Sequence, residues 1–441
     1  MLKYLFYFTY ILLSFFYINI NNSYSEFLDA LILKIKSGNN ENLSGNSIEY
    51  PSVNKKNNPQ YLAFSVKDDD LNESIAVVEL NRKGFNSFIK FLSPKNSREV
   101  AIVRKINNIL IEFTWNFTGN RILFLLKRKK FNIFNIIIDS STSLESIKPN
   151  KINWNDSEKK RFHFCYIGKN EYDFVYLMGD NNLCKPRCKS KICDDQIIAK
   201  GLEIVDPIFY NESIKQIIYC KYEDNNPGIY QMNPYNGKEE KIINIDSFTE
   251  TIPIYSNGKI AFATNFNSNY KGSTKERVYI SGDFKLYVST IKKLKNIKAS
   301  TSLTNNENIL FTSDNFIIKP KRGRNFNNLN RKQIIWCDDK IFFRNRDGDK
   351  LKIRWKSFSK THNNNGYYDF SKEEKGKFKL QKKIGPSYYK YRIKPKEINS
   401  FDVYVIDNYI YIIISARVNL KIEEELFNID GSILLMYRFE K

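Results

Sequence analysis

A short three-strand pattern recurs along this chain, and it restricts the fold more than any other feature. Its clearest copy is Ile111 to Asp139, IEFTWNFTGNRILFLLKRKKFNIFNIIID. An aromatic-ended strand enters a tight turn at Thr118-Gly119-Asn120, and a second apolar strand, a basic turn and a third strand follow. Gly119 supplies the positive φ such a turn needs, and the Ile, Phe and Leu of the runs favour strand over helix. Later copies put Trp154, Phe209, Tyr255 and Leu303 in the place of Trp115, at steps of 39, 55, 46 and 48 residues. That is the period of a four-stranded propeller blade. An aromatic ends the second strand of each unit, at Phe124, Phe164, Tyr219, Phe262 and Phe311. The third strand carries an apolar–aromatic pair: Ile133-Phe134, Val175-Tyr176, Ile229-Tyr230 and Leu286-Tyr287. The spacing predicts an all-β fold, a β-propeller of four-stranded antiparallel blades, six or seven in number. Trp115, Trp154, Phe209 and Tyr255 are expected at equivalent positions, one per blade.

Asp206-Pro207-Ile208-Phe209, Ile229-Tyr230-Gln231-Met232-Asn233 and Ser256-Asn257-Gly258-Lys259-Ile260-Ala261-Phe262 carry a resemblance to a known repeat. The pattern resembles the TolB-like propeller repeat, whose consensus is roughly P-x-W-S-P-D-G-x-x-I-A-F, a gap, then I-Y-x-M-D. The S-P-D-G tetrapeptide is eroded in every copy, and the likeness covers about residues 105 to 315. It implies a propeller in the cell envelope. TolB itself carries an α/β domain before its propeller, and the stretch ahead of the first strands is too short for one. The role of TolB is therefore not carried over.

The N-terminus reads as an export signal. Lys3 precedes the apolar run Tyr4 to Ile20, and Ser23 and Ser25 follow, a pattern that fits cleavage after Ser25. Retained, the same run of 17 residues would be a membrane anchor at the lower length limit. Residues 1–25 are thus a signal peptide, 26–46 a short amphipathic helix (Glu26 to Ser37) and linker, and 47–441 the propeller. Within the last, residues 179–195 and 265–276 read as insertions, 319–333 as a basic exposed loop, and 357–398 has no clear place.

Export permits disulfides among the six cysteines. Cys184, Cys188 and Cys193 crowd into LCKPRCKSKIC and are expected to form a local cross-linked loop, with one thiol left over. Zinc is the competing reading, but their spacings are not those of a zinc knuckle. Cys165 and Cys220 follow equivalent second-strand aromatics in neighbouring blades.

Catalytic signatures are scarce. Only two histidines occur, His163 and His362, which is too few for a His-rich metal centre. His163 reads as a strand residue facing turn or solvent. No G-x-S-x-G elbow, P-loop or dinucleotide fingerprint is present. The acidic clusters Asp68-Asp69-Asp70, Asp194-Asp195, Asp338-Asp339 and Asp347/Asp349 all fall in predicted turns, where Asp is common for conformational reasons. With 70 Lys+Arg against 48 Asp+Glu, the net charge is +22, yet no single block of basic residues stands out. Specific nucleic-acid binding is not expected. These features describe an exported scaffold of the periplasm or cell envelope that needs no cofactor and engages a protein or an anionic envelope polymer. It would touch a membrane only through residues 4–20. The competing class is a glycan- or peptide-processing enzyme that uses paired carboxylates.

Overall fold

Short apolar runs joined by tight turns bury both faces only when meanders stack sheet on sheet, and this chain does so seven times around a ring. The computed structural model describes residues 11–14, 26–32, 47–92, 109–138, 148–200, 209–244, 253–264, 284–297, 307–316, 334–344 and 350–441, apart from gaps of one to five residues inside these spans. Blade 1 is built from Ser47–Val53, Tyr61–Lys67, Glu73–Asn81 and Gly84–Leu92. Blade 2 uses Ile109–Trp115, Arg121–Lys127, Phe131–Ile137 and Asn150–Lys151. Blade 3 uses Arg161–Tyr166, Phe174–Met178, Leu183–Lys189 and Ile192–Ala199, with Asn153–Trp154 added in parallel at its outer edge. Blade 4 uses Phe209–Asn211, Gln216–Glu223, Asn226–Met232 and Glu239–Asn244. Blade 5 uses Ile254–Ser256, Lys259–Thr264, Phe284–Thr290 and Phe311–Phe316. Blade 6 uses Ile334–Cys337, Lys340–Phe343, Lys352–Ser357 and Asn365–Asp369.

Blade 7 closes the ring with both ends of the chain. Its strands are Gly385–Ile406, Tyr409–Ile422, Ile433–Glu440 and, from the N-terminus, Glu26–Ile32. Joining the first strand to the last couples opening the ring to losing the whole ladder between Glu26 and Arg438 and between Leu31 and Leu434. Glu26–Ile32 is therefore a strand and not the start of a helix. A helix would strand its ladder groups, whereas the strand pairs them and places Phe27 and Leu28 against apolar clusters on its two sides. Ile11–Ser14 pairs outside it. The remainder of residues 1–25, and residues 33–46, lie outside the described residues. So do residues 265–276, 319–333 and 345–349. Residues 357–398 resolve into the last strand of blade 6 and an arm. In that arm Glu374–Lys382 flanks the N-terminal half of the long strand Gly385–Ile406.

Among the described residues the core divides into seven apolar clusters, one between each pair of neighbouring blades. Cross-strand aromatic pairs fill several of them: Phe124–Phe134 at 5.3 Å, Tyr219–Tyr230 at 6.2 Å and Phe262–Tyr287 at 5.5 Å. These pairs join second to third strands, so the period of aromatics along the sequence is the period of the blades.

Candidate functional site

Among the described residues the first strand of each blade lies at the inner edge of its sheet, where no further strand pairs with it, save that Glu374–Lys382 pairs with the N-terminal half of Gly385–Ile406. Its inward N–H and C=O groups need other partners. In part of the ring, side chains reach across the seams to supply them. Glu112 of blade 2 is buried, and its Oε1 accepts from the backbone N of Phe164 in blade 3 at 3.2 Å. Asp402 of blade 7 is buried, and its Oδ2 accepts from the N of Val53 in blade 1 at 2.8 Å while Lys56 pairs with its Oδ1. Ser400 Oγ accepts from the N of Tyr50 at 2.8 Å, and Trp115 Nε1 donates to the carbonyl of Ser52 at 2.9 Å. Neither acid stands out by a motif. Each is a single charge inside an apolar run, ILIEFTW and FDVYVI, and that is the signal that could have found them.

The turns from first to second strand gather on one face. There a recess of about 360 Å³ is lined by Asn58, Arg82, Asp338, Val405, Ile406, Asp407 and Lys441, from blades 1, 6 and 7. Asp338 and Asp407 sit at φ 58° and 53°, a region that short polar side chains tolerate. Arg82 pairs with Asp407 at 3.1 Å, and Lys441 pairs with Asp338. Both acids thus have a cation beside them at the rim. On the same face Ile214 and Tyr235 of blade 4 leave 38% and 58% of their surface exposed.

A second polar cluster joins the first, second and fourth strands of blade 3. Arg161 is buried and grips Asp195 through Nε and Nη2, each at 2.8 Å. Its guanidinium lies 4.0 Å from the centre of the Trp154 ring, and Tyr176 donates to Asp195 Oδ1 at 2.6 Å. Burial, then the bond to Asp195, drives the Tyr176 phenol well above its ordinary range. Next to this cluster Cys188 and Cys193 form a disulfide, directly opposite each other in the ladder.

The residues singled out in the sequence take different places. Trp115 ends the first strand of blade 2 opposite Ile122, and Tyr255 in blade 5 sits opposite Ile260 in the same sense. In blade 4 the corresponding place belongs to Tyr210, opposite Ile217, one residue after Phe209. Trp154 does not belong to the series: it is at the outer edge of blade 3, facing Cys193. Phe164 lies in the first strand of that blade and not the second. The 179–195 stretch is no insertion, because it holds the third and fourth strands of blade 3. Cys184 is outside the disulfide and directs its thiol at the carbonyl of Asn182. Cys165 and Cys337 are buried in apolar surroundings that push both thiols up to about 12, so they act as packing groups. His163 is buried at a bulge with φ 57°, not turned to solvent.

Among the acidic clusters, Asp194 is bonded to Asn155, Asp195 to Arg161, and Asp339 accepts from Ser357 Oγ at 2.8 Å. Asp68-Asp69-Asp70, Asp347, Asp349 and His362 lie outside the described residues. No group of three or more His, Cys, Asp or Glu side chains that could hold a metal occurs among the described residues.

The fold so described is a seven-bladed β-propeller. No family model matches the chain, and no curated protein matches it. Solved propellers do. The β-propeller domain of Cps50 (Swd1) from Myceliophteria thermophila is 8% identical with a TM-score of 0.44, the match covering 94% of this chain and 99% of that one. TolB from Acinetobacter baumannii is 11% identical with a TM-score of 0.34, covering 90% and 79%. The C-terminal WD40 domain of Sif2 is 10% identical with a TM-score of 0.39, covering 78% and 95%.

Proposed function

We propose that this chain is an exported propeller with TolB-type repeats that acts by binding and not by catalysis, in the periplasm or cell envelope. Its partner is a protein or an anionic envelope polymer held against the face of first-to-second-strand turns. The observation that carries the reading is the state of the acids. The candidate carboxylates that can be placed are bonded into the fold or paired with a cation at its rim, while that face exposes apolar groups at Ile214 and Tyr235 and charged ones at the recess on blades 1, 6 and 7. Export fits the boundary of the closing strand. Cleavage after Ser25 would remove Ile11–Ser14 but leave Glu26–Ile32, which completes blade 7.

Photo-crosslinking residues placed at Tyr235 and Asp407, on the turn face, and at Ile197, on the outer wall of blade 3, test this in native envelopes. The expected result is one cross-linked species captured from Tyr235 and Asp407 and absent from Ile197. Capture from the outer wall alone would reject the proposed face. Recovery of an intact Met1 terminus from the cytoplasm would reject export.

A further inference from the structure

The arm of blade 7 has one face that is almost entirely cationic. Along Gly385–Ile406 the residues Tyr391, Ile393 and Pro395 are buried while Lys390, Arg392, Lys394 and Lys396 between them are exposed. The neighbouring strands repeat the arrangement. Lys375 lies directly opposite Arg392, which lies directly opposite Lys421 on the other side, and Lys375 and Lys421 are exposed too. Register also places Lys377 opposite Lys390, and exposed Arg417 follows two ladder steps beyond Lys394. Cations therefore repeat about every 6.4–6.8 Å along a strand and about 4.8 Å across strands.

Like charges directly opposite each other weaken a sheet, and here three stand in one row. Among the described residues two acids temper the face: Glu373 lies 3.8 Å from Lys375, and Glu397 pairs in register with Arg417. A solvated surface does not require such a grid, but an anionic partner is served by one.

We propose that this face docks on an anionic phospholipid bilayer. The grid extends in two directions, as a planar array of phosphates does, whereas a single polyanionic chain would follow one row. Its exposed, described side chains are Lys and Arg. Each Lys or Arg brought to an anionic membrane surface strengthens binding about fivefold at low salt. The proposal takes from the preceding reading only the envelope as compartment, and purified components test it independently of any captured partner.

The test is co-sedimentation of the full chain with phosphatidylglycerol-containing and pure phosphatidylcholine vesicles, at low and high salt. The variant Arg392→Glu/Lys394→Glu/Lys421→Glu is compared with a control of equal charge change, Lys200→Glu/Lys215→Glu/Lys238→Glu. The intact chain should bind the anionic vesicles only and release them at high salt. The arm variant should lose about a hundredfold or more in affinity, and the control far less. Arg392→Gln alone, a milder change, should lose about fivefold and covers the case in which the triple variant fails to fold. Equal losses in both triple variants, or binding to neutral vesicles, would overturn the proposal. So would tighter binding of duplex DNA with the same dependence on the arm, which would assign the face to nucleic acid.

Discussion

Blades 7, 1, 2 and 3 meet their neighbours differently from blades 4, 5 and 6. In the first arc the inner strands are long, at 22, 7, 7 and 6 residues, and each is bulged where it pairs with its second strand. In the second their described parts are 3, 3 and 4 residues long and run in unbroken register. A long inner strand presents more edge N–H and C=O groups to the interior than a short one. In the first arc bulges re-aim them, and Asp402, Glu112, Ser400 and Trp115 receive or supply their hydrogen bonds across the seams. The second arc is held by its apolar clusters, with bridging pairs such as Lys295–Glu240 on the surface. The first arc contains the closure of the ring, and the recess lies between its blades 7 and 1 and blade 6 of the second arc.

The largest effect that would separate the arcs is removal of Asp402. Asp402→Ala leaves the N–H of Val53 buried without an acceptor and takes the counter-charge from Lys56. Because Lys56 is partly exposed, most of the loss comes from the buried amide, and about 3–4 kcal/mol is expected. In the second arc Gln231→Ala removes a single bond to Glu240 and should cost about 1 kcal/mol. Urea unfolding of both variants measures the difference, and equal losses would show that the arcs are not distinct.

Next in size is Trp115. Trp115→Ala gives up a half-buried ring and its bond to Ser52, for about 3 kcal/mol. Tyr255→Ala, at the matching place in blade 5, should cost about 2 kcal/mol. Trp115→Phe isolates the bond. It should recover most of the packing but leave a deficit of about 1 kcal/mol by thermal denaturation.

The repeat was legible in the sequence because cross-strand aromatic pairs such as Phe124–Phe134 impose a spacing on the chain. Its phase was not legible in blade 3. The fourth strand of blade 2 is only Asn150–Lys151, so Trp154 arrives at the expected step while belonging to an outer edge. Position along a strand is periodic in sequence, but rank within a sheet is not. Glu26–Ile32 was hidden for a related reason: its apolar residues suit one helical face as well as a strand, and only the partner at Ile433–Glu440, four hundred residues away, decides between them. Glu112 and Asp402 were missed since acids bonded to backbone across a seam follow no motif.

A pH effect follows within blade 7. Burial pushes the carboxyl of Glu374 up to about 7, with Lys372 opposing the shift. The folded state then holds its proton more tightly than the unfolded chain, whose carboxyl titrates near 4.3. The contribution is fully present below about pH 4.3 and is lost as pH rises through about 7. Allowing for partial exposure, on the order of 2 kcal/mol should disappear across that range, and Glu374→Gln should flatten the slope. A variant with an unchanged pH profile would remove Glu374 as the source.

The smallest expected effect concerns the rim of blade 3, where the first arc ends. Cys188 and Cys193 face each other across the ladder with Cα atoms 3.9 Å apart and close a ring of only a few residues. Closing so short a loop removes little entropy from the unfolded chain, about 2 kcal/mol. The bond also sits where the ladder and the Arg161–Asp195 grip already order the hairpin. Reduction should therefore lower stability by about 2 kcal/mol or less and leave the blade assembled, with near-ultraviolet circular dichroism little changed. Non-reducing peptide mapping should recover the Cys188–Cys193 link, while Cys184, shielded in the third strand, labels only after denaturation. A link from Cys184 to either partner would mean that the hairpin register differs. Collapse of the whole propeller on reduction would mean that the rim, and not the Asp402 seam, governs the stability of this arc.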